Sequence, residues 1–80
     1  MFIKFRSIYD TGDEFVLNVS SIDFIGTGLL EENYEVFAER FEDNSIFELF
    51  RGSKEQCEKV LSMITDAIEH QCPLIVIPQD

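Results

Sequence analysis

Apolar and polar side chains alternate over the first seven residues, with Met1, Ile3 and Phe5 on one side and Lys4 and Arg6 on the other. A period of two marks a half-buried strand, which places one over about 1–7. Tyr9-Asp10-Thr11-Gly12-Asp13 follows as turn chemistry, because Asp and Gly tolerate the backbone of a tight reversal. Phe15, Leu17 and Val19 then alternate with Val16, Asn18 and Ser20, and Ile22, Phe24 and Ile25 prolong the signal. A second strand is therefore expected over about 14–25, paired with the first as a hairpin. The stretch 26–33 reads as a loop with Leu29 and Leu30 inside it. Alternation resumes over about 34–41, reverses at Glu42-Asp43-Asn44-Ser45 and returns over about 45–51, where Phe47 and Leu49 oppose Ile46 and Phe50.

The period changes after Gly52. Ser53 with Gln56 three residues on forms a capping box, and Glu55 suits the positive end of a helix dipole. Cys57, Val60, Leu61, Ile64, Ala67 and Ile68 recur as one apolar stripe, opposite Glu58, Lys59, Ser62, Asp66 and Glu69. These positions predict a helix over about 54–70, stopped by Pro73. Leu74-Ile75-Val76-Ile77 is a short β-branched run, a final strand over about 74–77 that joins either the sheet edge or a second copy of the chain. The expected architecture is α+β, a single domain over 1–80. It is an antiparallel four-stranded sheet of two hairpins, packed by one C-terminal amphipathic helix, with a short final strand.

Charge changes the picture more than length does. Sixteen acidic and six basic residues give a formal net charge of −10, which repels a nucleic-acid backbone and an anionic membrane surface. Direct nucleic-acid binding and membrane adsorption are not expected, whereas a basic protein partner suits the charge. Eight Phe within 80 residues supply enough apolar area for a core. Residues 1–8 lack the apolar stretch of a secretory signal, and no run approaches a membrane span, so the expected location is cytoplasmic with Cys57 and Cys72 reduced. The Asn18-Val19-Ser20 sequon is then a chance match.

Candidate chemistry is sparse. Asp10-Thr11-Gly12 is the active-site triplet of retroviral-type aspartic proteases, but a following flap is missing and the triplet is an ordinary hairpin turn. Asp66 and His70 lie one helical turn apart and, with Cys57 and Cys72, invite a metal reading. No spacing supports tetrahedral ligation, and a surface pair of Asp66 with His70 accounts for those two residues. Gly26-x-Gly28 lacks the third glycine of a phosphate loop. The chain is accordingly expected to be non-enzymatic and to need no cofactor or metal. Two features remain. Several strands are apolar on both faces while one helix covers one face, so a homodimer is expected. Glu31, Glu32, Glu35, Glu39, Glu42 and Asp43 gather around the third strand, either as a solvated edge or as a docking face for a basic protein.

The opening Ile3-x-Phe5, Leu17-Asn18-Val19-Ser20-Ser21-Ile22, Tyr34-x-Val36 before an acidic turn, Phe50-Arg51-Gly52-Ser53-Lys54-Glu55 and the closing Ile75-Val76-Ile77-Pro78 resemble small uncharacterised proteins encoded in phages and prophages of Gram-positive bacteria. In part the chain is also similar to the flagellar FlbD group, which shares a β-hairpin, a Leu-Asn step and a terminal helix. The resemblance implies architecture and a mobile-element origin, and it transfers no site residues. The function expected from all this is a self-associating protein-interaction or accessory domain. The alternative is an acidic nucleic-acid mimic that inhibits a nuclease or defence complex.

Overall fold

The computed structural model describes residues 1–6 and 13–78. Among these residues the fold is α+β with one α-helix, but the strands form two three-stranded sheets rather than one sheet of four. The first sheet has β1 (Phe2–Arg6) at its centre, with β2 (Glu14–Asn18) antiparallel on one side. The second is a meander of β3 (Phe24–Leu30), β4 (Asn33–Arg40) and β5 (Ser45–Gly52), all antiparallel. The helix α1 (Lys54–Glu69) packs on this meander, and β6 (Leu74–Val76) returns to lie parallel to β1. The C-terminal run thus pairs within its own chain.

The expected strand over 14–25 breaks because Asn18, Ser20 and Ser21 offer the backbone other partners. Asn18 Oδ1 accepts from the Ser20 amide at 3.0 Å and from the Ser20 hydroxyl at 2.9 Å, and the Ser21 hydroxyl donates to the Asn18 carbonyl at 2.7 Å. This caps a 3₁₀ turn over Val19–Ser21, and the turn carries the chain from one sheet to the other.

The expected loop over 26–33 is mostly strand. Ile25, Thr27 and Leu29 alternate as β3 requires, and β4 follows after only two turn residues, Glu31 and Glu32. Glu31 takes φ 58°, the left-handed region that L-residues with a Cβ avoid, and so disguises a tight hairpin.

The surplus of apolar residues on β5 is partly resolved by a bulge. Val36 pairs with Phe50 and Phe37 with Glu48, so Leu49 is the extra residue. A bulge re-aims side chains, and here neighbours Leu49 and Phe50 both enter the core. One core serves both sheets: Ile3, Phe5, Leu17, Ile75 and Ile77 meet Val36, Ala38, Leu49 and Phe50 around Cys57, Val60 and Ile64 of the helix. The helix starts with both halves of its capping box, Gln56 N–H to Ser53 Oγ at 3.1 Å and Ser53 N–H to Gln56 Oε1 at 2.9 Å. A Cβ on Gly52 would lie 2.6 Å from Gln56 Oε1, so glycine there makes room for the cap. No helix among the described residues is long and apolar enough to cross a membrane.

Candidate functional site

Strand register assigns every outward side chain of the two sheets. On the first sheet Phe2 stands between Asn18 and Leu74, and Lys4 between Val16 and Val76. The opposite side chains, Ile3 and Phe5, are in the core, so these rows face outwards. Phe2, Val16, Leu74 and Val76 remain 44%, 63%, 51% and 56% exposed, an apolar patch around a lysine. Lys4 Nζ lies 2.9 Å from Glu14 Oε2 and Arg6 3.7 Å from Glu14 Oε1. Lys4, by hydrogen bond and charge, holds the Glu14 carboxyl below the usual range.

The outer face of the second sheet differs. Phe24 and Phe37 stack there with centroids 5.9 Å apart, and Ile46 is exposed. Next to Phe37 along β4, on the side away from Phe24 and Ile46, is a carboxylate that the chain hides: Glu35 is 2% exposed. Its Oε2 is 3.4 Å from Arg51 Nη2. Oε1 of Glu35 and Oε2 of Glu48 have no hydrogen-bond partner among the described residues. Burial pushes the Glu35 pKa up, the Glu48 charge adds to that, and Arg51 opposes both.

The acidic residues singled out in the sequence are therefore dispersed. Glu31 and Glu32 occupy the β3–β4 turn and Glu42 and Asp43 the β4–β5 turn, at opposite ends of β4. An eight-residue strand separates them by about 26 Å. Between the turns, Glu35 is covered and Glu39 is half-buried. Asp43 accepts Arg40 Nε at 3.0 Å and Nη2 at 2.7 Å, which drives its pKa far below the usual range.

The other candidates do not assemble. His70 Nδ1 lies 2.7 Å from the Asp66 backbone oxygen, so the ring closes the helix end instead of pairing with the Asp66 carboxylate. No group of three or more His, Cys, Asp or Glu able to hold a metal occurs among the described residues. Cys57 is fully buried, and burial raises its thiol pKa. Asp10, Thr11 and Gly12 lie outside the described residues.

One surface is hidden from the sequence, a groove between β3 and the helix, because the glycines of its strand read as a loop. It is lined by Thr27, Gly28 and Leu29 and by the helix flank that includes Glu58 and Leu61. Gly-x-Gly followed by two leucines was the available signal. No family model matches the chain, and no curated protein or solved structure matches it either.

Proposed function

We propose that this is a cytoplasmic, non-enzymatic protein-interaction domain that self-associates as a dimer through the outer face of its first sheet. The observation that carries this reading is the patch of Phe2, Val16, Leu74 and Val76, four large apolar side chains left about half exposed on one flat face. Charge selects this face over the other. Lys4 and Arg6 against Glu14 leave it with one net positive charge in a chain of −10. On the second sheet Glu35, Glu39 and Glu48 face outwards with Arg51, so two copies meeting there would stack like charges. The dispersed acids give less support to a nucleic-acid mimic, since no face presents them together.

Light scattering across a concentration series tests the reading. The native chain is expected at twice its 9.3 kDa mass, and more readily at higher salt, which screens the mutual repulsion. Val76→Glu is expected to return it to 9.3 kDa with unchanged circular dichroism, whereas Ile46→Glu leaves the dimer intact. A native chain that stays monomeric at every concentration overturns the proposal.

A further inference from the structure

Strand β3 is an outer strand of the second sheet, hydrogen-bonded to β4 on one side only among the described residues. A groove of about 610 Å³ lies between this strand and the helix. Three consecutive residues, Thr27, Gly28 and Leu29, line that groove. Thr27 and Leu29 stand on the helix side of the sheet by register, and Gly28 between them has no side chain to cover its backbone, while the edge of β3 beside the groove carries outward N–H and C=O groups. The opposite wall is one stripe of the helix, from Lys54 through Glu58 and Leu61 to Thr65. At 1.5 Å per residue that wall is about 16 Å long, the span of about five residues of extended chain.

We propose that this groove takes an extended segment of a partner protein, which adds to β3 as a further strand and carries apolar and basic side chains. Main-chain hydrogen bonds along a strand edge hold such a segment, and pockets beside it choose the side chains. Leu29, Tyr34 and Leu61 supply apolar surface. Glu58 on the wall, with Glu31 and Glu32 on the turn that ends β3, outweighs Lys54 and asks for positive charge. A second copy is disfavoured as the occupant, because its own β3 edge would bring the same acids against these. The groove shares no residue with the outer face of the first sheet, so this inference stands or falls apart from the dimer.

The test is titration of the isotope-labelled full chain with three eight-residue peptides: alternating valine and lysine, alternating valine and glutamate, and the lysine peptide with a central proline. The lysine peptide is expected to bind saturably, with the largest amide shifts over Thr27, Gly28 and Leu29 and slowed hydrogen exchange at the alternate amides of this stretch that face away from β4. The glutamate and proline peptides should bind at least about tenfold more weakly. Ser62→Trp, an exposed groove position, and Glu58→Lys should each weaken the lysine peptide by about tenfold, while Val76→Glu leaves it unchanged. The inference is overturned by no saturable binding up to about 1 mM, by equal binding of the three peptides, or by insensitivity to both groove variants. Shifts at these three amides on concentrating the protein alone would make a second copy the occupant and overturn the partner assignment.

Discussion

The two sheets share one core yet are built in opposite ways. The second is a meander whose strands follow one another through turns of two and four residues. Its pairings are local and close cheaply. The first joins the two ends of the chain, since β6 reaches β1 only after everything else has been traversed. Their outer faces differ too. The first shows bare apolar side chains beside Lys4 and Arg6 paired to one Glu14, and the second hides a carboxylate under neighbours of mostly the same sign. Strand alternation decides which residues face out, but it does not say what an outward residue is for. That depends on its neighbours across the strands, which only register reveals.

The largest expected effect tests whether the sheets are energetically separate. Ile3→Ala removes a fully buried side chain from the central strand of the first sheet and should cost about 3 kcal/mol. Because the core is shared, chemical denaturation should remain a single transition, with amides of β4 losing exchange protection as much as those of β1. Loss confined to β1, β2 and β6 would show two independent units.

A smaller effect concerns the second sheet alone. Glu31→Gly relieves a left-handed residue in the two-residue turn and should stabilise by about 1 kcal/mol, raising Tm by about 4 °C or more. An unchanged Tm in thermal unfolding would mean that the turn carries no such strain.

The smallest effect is in pH dependence. The folded state binds the Glu35 proton more tightly than the unfolded chain does, because burial raises its pKa. That carboxylate therefore costs stability at neutral pH, and the cost falls away as pH drops through the raised value towards the ordinary one. Glu35→Gln removes this titration, so its stability should rise less than that of the native chain between pH 7 and pH 4.5. Parallel profiles from urea titrations at each pH would count against a strained carboxylate.

The helix was legible because its signals agree: Ser53 and Gln56 at the cap, and Cys57, Val60 and Ile64 on one stripe. The β1–β2 and β4–β5 pairs were legible for the same reason, since period-two alternation flanks clear turn residues. The division into two sheets was not. It hangs on Asn18 bonding its own neighbours, a side-chain preference that alternation overrides on paper. Glycines made β3 look like a loop, and a Glu-Glu turn lacks the Asn-Gly chemistry by which hairpins are found. The bulge at Leu49 is silent in sequence, and it turned an apparent excess of outward apolar residues into core. Of the acidic candidates, the sequence shows the clustering along the chain but not that Glu35 is covered and that the two turns stand apart.

The parallel pairing of β1 with β6 has a mechanical meaning. Phe2 N–H to the Pro73 carbonyl and Ile77 N–H to the Lys4 carbonyl, each 2.9 Å, belong to strands that run the same way at the two ends of the chain. Tension applied at those ends slides the strands past one another along their length, so every bond between them is loaded at once. A hairpin pulled apart from its open end gives way rung by rung. The shortest strand among the described residues thus sits where a stretching force would meet cooperative resistance.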